Sequence, residues 1–90
     1  MYSLKIHKSV LKFLKSRNSS EKKTIQTKLN LLKDNPFSHQ YLDIKRIKGN
    51  REYYRLRIGK IRIIYQVIDT KLIILVMSAG SRGNIYKKKT

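Results

Sequence analysis

Three β-rich runs in the second half of the chain constrain its fold most strongly. Rich in Ile, Val, Leu and Tyr, these runs cover residues 53–58, 61–68 and 72–79. Gly59-Lys60 and residues 69–71 separate them, and connections this short join neighbouring antiparallel strands. The sequence therefore predicts a three-stranded antiparallel meander. Its last run is almost continuously apolar, which is typical of a strand in the middle of a sheet that is covered on both faces.

At the start of the chain, the spacing of the apolar residues changes from that of a strand to that of a helix. Tyr2, Leu4 and Ile6 alternate with polar residues, which predicts a half-buried strand. From Ser9 the apolar residues follow a helical period, with lysines on the opposite face. The sequence therefore predicts that a strand leads directly into a short amphipathic helix.

A second helix is predicted by its start and stop signals. Asn18 stands three residues before Glu21, which resembles an N-terminal capping arrangement. Apolar residues then mark one helical face until Asn35-Pro36, where proline ends the helix. Residues 42–47 have the composition of a short extended segment, and the sequence leaves the type of this segment open.

The element order β-α-α-β-β-β predicts an α+β domain. We expect a twisted antiparallel β-sheet with two N-terminal helices packed on one of its faces. At 90 residues the chain is too short for two cores, so residues 1–90 are expected to form a single domain. The chain has no cysteine, and its two histidines, His7 and His39, are isolated in the sequence. We therefore expect no disulfide, no metal site and no cofactor.

The chain is strongly basic. It has 22 Lys and Arg against 5 Asp and Glu, which gives a formal net charge of +17. Such like charges oppose compaction unless an anion offsets them, so the composition predicts a polyanionic partner: a nucleic acid, an anionic membrane surface or an acidic protein. No apolar run is long enough to cross a bilayer, and the first residues lack a signal-peptide pattern. We therefore expect a cytoplasmic protein with no membrane partner.

The hairpin at Gly59-Lys60 predicts a cluster of arginines. A two-residue turn there would place Arg57 directly opposite Arg62. Because side chains alternate along a strand, Arg55 then shares the face of Arg57 and Arg62, while the other face, which includes Tyr65, belongs to the core. Like charges that face each other across a sheet repel by about 0.2–1 kcal/mol per pair. The pattern therefore predicts that the three arginines bind phosphate.

An ordinary solvated sheet face is the simpler alternative for these arginines. That alternative leaves the net charge unexplained, and no carboxylate of this strand pair lies close enough to neutralise the cluster. Tyr53 offers an aromatic ring on which an unpaired base can stack. Lys60 in the turn and the tail residues Lys87, Lys88 and Lys89 add general electrostatic attraction. We therefore favour an RNA-binding surface.

One motif resembles a known family. Residues 59–69 read Gly-Lys-Ile-Arg-Ile-Ile-Tyr-Gln-Val-Ile-Asp, and they follow the arginine-rich residues 54–58. Gly80-Ser81-Arg82 and Ile85-Tyr86 come after the last β-rich run. This arrangement resembles the RelE/ParE toxin superfamily, and most closely its RelE branch. The likeness covers nearly the whole chain.

The resemblance implies a toxin of a toxin–antitoxin pair that enters the ribosomal A site and cuts messenger RNA there without a metal. The implied reaction is attack of a ribose 2′-hydroxyl on the adjacent phosphorus, which leaves a 2′,3′-cyclic phosphate and a 5′-hydroxyl. By position, the site residues of the family correspond to Arg55, Arg57, Arg62, Arg82 and Tyr86. Arg62 and Arg82 would stabilise the phosphate, and Tyr86 would stack on a base or assist proton transfer.

Two further expectations follow from the resemblance. Arg55 and Arg57 stand where the family often has lysine, and arginine effectively never loses its proton, so neither is expected to act as the general base. The general base is therefore left unassigned. The expected partners are the ribosome, messenger RNA and an acidic RelB-like antitoxin, with a heterotetramer of two toxin and two antitoxin chains among the assemblies to consider.

Two other functions remain open from the sequence. A ParE-like toxin would share the fold, act on DNA gyrase and cut no RNA. A non-catalytic basic RNA-binding protein would account for the composition alone, and its expression would be harmless. An assay with translating ribosomes separates both of these functions from that of a RelE-like toxin, because only a RelE-like toxin truncates the message in the A site.

Overall fold

The computed structural model describes residues 1–47, 49 and 52–81, which form two helices and five strands. The chain begins with a strand and two helices: β1 (Ser3–Ile6), α1 (Lys8–Lys15) and α2 (Ser19–Leu32). Four strands follow: β2 (Asp43–Arg46), β3 (Tyr53–Ile58), β4 (Ile61–Ile68) and β5 (Ile73–Ser81). A single 3-10 turn at Asp69–Lys71 joins β4 to β5.

The strands form one sheet in the order β1-β5-β4-β3-β2, and the helices make it an α+β fold, as predicted. The meander of β3, β4 and β5 is antiparallel, and β5 lies in the interior of the sheet, also as predicted. Two features differ from the expected order. Residues 42–47, whose type the sequence leaves open, contain a strand, β2. In addition, β1 pairs parallel to β5, so the sheet is mixed rather than wholly antiparallel. The two strands of this parallel pair are far apart in the sequence, and no local sequence pattern indicates whether such strands pair parallel or antiparallel.

Both helices begin at residues whose side chains accept a backbone hydrogen bond. The Nδ1 atom of His7 accepts from the backbone N–H of Ser9 at 3.0 Å. Oδ1 of Asn18 accepts from the backbone N–H of Glu21 at 2.8 Å, which confirms the predicted cap of α2. These caps satisfy backbone N–H groups that have no partner inside the helix. The apolar residues of both helices pack into the core of the sheet.

The core lies between that sheet face and the two helices. The helices contribute Val10, Ile25, Leu29 and Leu32, all of them buried. From β3, β4 and β5 come the buried residues Leu56, Ile63, Tyr65, Val67, Ile74 and Val76. In β3 these core residues alternate with more exposed residues of the opposite face. In β5 the alternate residues Ile73, Leu75 and Met77 are also apolar, and they are half-buried although the helices cover only the other face.

Tyr65 lies at the centre of this core and is fully buried, as predicted. Its ring stacks on that of Tyr54, with centroids 5.7 Å apart, and Phe37 packs edge-on against Tyr54. The Tyr65 phenol donates a 2.6 Å hydrogen bond to the carbonyl oxygen of Pro36. Burial raises the pKa of this phenol well above its ordinary value, because ionisation would leave a charge in an apolar interior.

Candidate functional site

The face of the sheet opposite the helices carries the predicted arginines. Arg57 on β3 pairs with Arg62 on β4, and Arg55 pairs with Ile64, in the register predicted from the turn at Gly59-Lys60. Gly59 has a φ of +59°, a conformation that glycine adopts readily in hairpin turns. We call the part of the face that holds Arg55, Arg57 and Arg62 the cationic face. Its existence confirms the prediction that these three side chains share one side of the sheet.

A carboxylate lies beside this cationic face, on the strand whose type the sequence leaves open. Strand β2 places Asp43 directly opposite Arg57 and places Lys45 opposite Arg55. Oδ2 of Asp43 accepts from Nε of Arg57 at 2.8 Å and lies 2.8 Å from Nη2. The sequence pattern of β3 and β4 does not predict this ion pair, because its carboxylate lies on β2. The alternation of Asp43, Ile44 and Lys45 was the available signal, because it puts Asp43 and Lys45 on one face.

Among the described residues, Arg55 and Arg62 lack a carboxylate partner of the kind that Arg57 has. Within residues 1–47, 49 and 52–81, Asp43 is the only carboxylate within salt-bridge distance of any of the three arginines. The Nε atoms of Arg55 and Arg62 are buried and have no hydrogen-bond partner in that part of the chain. Leaving a charged donor unsatisfied in this way is costly, so these two guanidinium groups are suited to an anionic ligand.

The other predicted site residues fall into two groups. Tyr53 is half-buried on the same face as Arg55, two residues away along β3, or about 7 Å. Lys60 is exposed in the hairpin turn. The rest lie outside the residues that the structure describes: Arg82, Tyr86, Lys87, Lys88 and Lys89. β5 ends at Ser81, opposite Ile61, so the described chain stops at the same end of the sheet as Arg62.

A groove lies on the other side of the molecule, between β1 and the two helices. Its volume is about 380 Å³. Its apolar lining comes from Leu4, Ile6, Leu11, Leu14, Ile25 and Leu29. Lys15 and Lys22 also line it, and β1 is an edge strand of the sheet. The groove is therefore an apolar surface with a basic border, separate from the cationic face.

The histidines have local structural roles. His7 caps α1, and Nδ1 of His39 accepts from the backbone N–H of Tyr41 at 3.2 Å. Among the described residues, no three His, Cys, Asp or Glu side chains are grouped so that they could hold a metal ion. Neither described helix combines the length and the apolar character that crossing a membrane requires.

Comparison with known proteins identifies the family. The model of the family described as ParE toxin of the type II toxin–antitoxin system, parDE, matches residues 4–86. A Methanocaldococcus jannaschii protein that bears the name toxin RelE1 is 41% identical over 86 residues, 96% of either chain. The chain belongs to the RelE/ParE toxin superfamily. The resemblance of residues 59–69 to this superfamily is thereby confirmed, and the relative that matches almost from end to end carries the RelE name.

Two solved structures have the same fold as this RelE-like toxin. The archaeal RelE–RelB complex from Pyrococcus horikoshii OT3 matches with a TM-score of 0.81 and 28% identity, over 91% of this chain and 96% of the other. The RelB–RelE antitoxin–toxin complex from Methanococcus jannaschii matches with a TM-score of 0.75 and 30% identity, over 94% and 98%. The predicted α+β architecture is thus the RelE-like fold.

Proposed function

We propose that this RelE-like toxin is an endoribonuclease that cuts messenger RNA in the A site of the ribosome, in the cytoplasm. One observation carries the proposal: Arg55 and Arg62 present guanidinium groups on one sheet face with no carboxylate partner among the described residues. Guanidinium groups bind phosphate oxygens in pairs of parallel hydrogen bonds. A net charge of +17 favours approach to the RNA-rich ribosome.

The proposed reaction is attack of a ribose 2′-hydroxyl on the adjacent phosphorus, with departure of the 5′-oxygen. Negative charge builds up on the phosphoryl oxygens in the transition state, and preorganised cations stabilise it there more than in the ground state. We assign this role to Arg62 and Arg82, with Arg55 and Arg57 holding the flanking backbone. Arginine keeps its proton, so Tyr86 is the candidate for proton transfer or for stacking on a base. Tyr53, Lys60 and Lys87–Lys89 would bind RNA outside the reacting group.

The proposed regulator is an acidic RelB-like antitoxin. The two similar structures above are complexes of a RelE protein with RelB. In this chain the groove between β1, α1 and α2 combines an apolar floor with Lys15 and Lys22. An amphipathic antitoxin segment with acidic flanks fits both features, and a disordered segment can order as it binds. A heterotetramer of two toxin and two antitoxin chains is the proposed assembly.

The test is to add the purified toxin to ribosomes that are translating a defined message. The expected result is a message truncated at the A-site codon, with a 2′,3′-cyclic phosphate on the upstream fragment. Mass spectrometry identifies that end group. An intact message together with accumulated DNA breaks in cells would favour the gyrase-directed alternative. An intact message and harmless expression would favour a non-catalytic RNA-binding protein.

A further inference from the structure

Asp43, Arg57 and Arg62 form a row across three neighbouring strands. Asp43 on β2 pairs with Arg57 on β3, and Arg57 pairs with Arg62 on β4. One carboxylate oxygen of Asp43 contacts both Nε and Nη2 of Arg57, each at 2.8 Å. The carboxylate therefore holds the side edge of the guanidinium group. The end edge, formed by Nη1 and Nη2, keeps the N–H groups that can bind a phosphate in parallel.

We infer that Asp43 is a positioning residue for Arg57. Its carboxylate holds the guanidinium group where a phosphate can bind to it and at the same time lowers the net charge of this group. The inference rests on the proposed function, because it names the geometry that the proposed cleavage would use. Arg57 is the most exposed of the three arginines and faces Arg62 directly. Without Asp43, repulsion from Arg62 and the rotamer freedom of a long exposed side chain would turn Arg57 toward solvent.

Asp43 should have opposite effects on RNA binding and on cleavage, because it both lowers the charge of Arg57 and positions its side chain. The ion pair removes one net charge from the row, so Asp43 weakens the attraction of RNA phosphate. The same pair orders Arg57, so Asp43 speeds the step in which geometry matters. Loss of the negative charge should therefore tighten RNA binding, and loss of the acceptor that orders Arg57 should slow cleavage. A surface ion pair with a purely structural role would not affect the rate of cleavage.

Two substitutions separate the roles of Asp43. In Asp43→Asn the amide oxygen still accepts from Nε of Arg57, so position is kept and charge is lost. Asp43→Ala removes both. The matched control is Asp34→Asn, which makes the same change in charge at an exposed carboxylate just after α2, outside the cationic face. Arg57→Ala provides the background in which an effect that passes through Arg57 must vanish.

The experiment measures single-turnover cleavage on ribosomes and, separately, the affinity for a short single-stranded RNA over a series of salt concentrations. Asp43→Ala should lower the cleavage rate about tenfold, while Asp43→Asn stays within about twofold of the parent. Both variants should bind the RNA more tightly, with a salt slope steeper by about 0.7, the value for one more phosphate contact. In the Arg57→Ala background, Asp43→Ala should no longer lower the cleavage rate, because the carboxylate has no guanidinium group left to position.

Three outcomes overturn the inference. They are equal losses of rate in Asp43→Asn and Asp43→Ala, an unchanged rate in Asp43→Ala, and an unchanged salt slope in both variants. If the parent toxin cuts no ribosome-bound message, the proposed function fails and the positioning of Arg57 for cleavage fails with it. The salt series still decides independently whether Asp43 lowers the charge of Arg57, because this measurement needs no cleavage.

Discussion

The phenol of Tyr65 lies 2.6 Å from the carbonyl oxygen of Pro36, to which it donates a hydrogen bond inside the core. Tyr65 stands three residues after Arg62 on β4, so the two side chains point to opposite faces of the sheet. Pro36 lies in the loop that leads from α2 to β2, the strand of Asp43. One buried hydrogen bond therefore joins the strand of Arg62 to the loop that places Asp43 at the cationic face.

Replacing Tyr65 with phenylalanine tests this hydrogen bond. Tyr65→Phe keeps the ring that stacks on Tyr54 but leaves the buried Pro36 carbonyl without its donor. We expect the free energy of unfolding to fall by about 1–3 kcal/mol. Urea denaturation at pH 7 measures the change, and Tyr53→Phe, at a half-buried tyrosine on the opposite face, is the matched control. Equal stabilities of the two variants would contradict the assigned role.

The same phenol predicts how stability depends on alkaline pH. Burial raises the pKa of Tyr65, so the folded state holds this proton more tightly than the unfolded state, in which the group titrates near its ordinary value of about 10. The resulting stability is complete below about pH 10 and is lost as pH rises further, by up to about 1.4 kcal/mol per pH unit. The difference in stability between the parent and Tyr65→Phe should therefore be constant from pH 7 to 9 and shrink above pH 10.

Tyr2, just before the edge strand β1, also makes the folded state less stable as pH rises into the alkaline range. Its phenol donates a hydrogen bond to Asp69, and this bond, followed by burial, raises the pKa of Tyr2. Comparing the parent with Tyr65→Phe removes this contribution, because both proteins have Tyr2. A difference in stability that stays constant up to pH 11 would show that Tyr65 does not resist ionisation in the fold.

Arg62 is the described residue on which the proposed cleavage depends most. Arg62→Ala should lower the rate of message cleavage about 100-fold or more, because removal of a preorganised donor to a developing negative charge typically has an effect of this size. Arg46→Ala is the control: Arg46 is an exposed arginine of the same sheet, and it pairs with Tyr54 on the other face. Similar losses in the two variants would mean that general charge, and no particular site on the cationic face, drives the activity.

The cationic face was predictable from the sequence because it depends on local geometry. A two-residue turn at Gly59-Lys60 fixes the register of β3 against β4, and the register decides that Arg57 meets Arg62. The capping of α2 by Asn18 is equally local, since donor and acceptor are three residues apart. Features within one turn or one hairpin therefore follow from pattern alone.

The ion pair of Asp43 was not predictable in this way. It needs β2 to be a strand and to pair at the edge of β3, and its four residues carry little hydrophobic pattern. The parallel pairing of β1 with β5 is hidden for a related reason, because the helices and three strands separate the partners along the chain. Pairing between distant segments is decided by the packing of the helices on the sheet, which no short window of sequence records.

Leu11 tests the proposed antitoxin groove. Its side chain lines the groove and is 43% exposed, so a polar replacement should leave the fold stable. Leu11→Glu would put a negative charge on the apolar floor and should weaken binding of the cognate acidic antitoxin about tenfold or more, as measured by calorimetry. Tyr41→Glu, which makes the same charge change at a residue 64% exposed outside the groove, should bind within about twofold of the parent. Equal weakening in both variants would show that overall charge, and no apolar contact at this groove, holds the antitoxin.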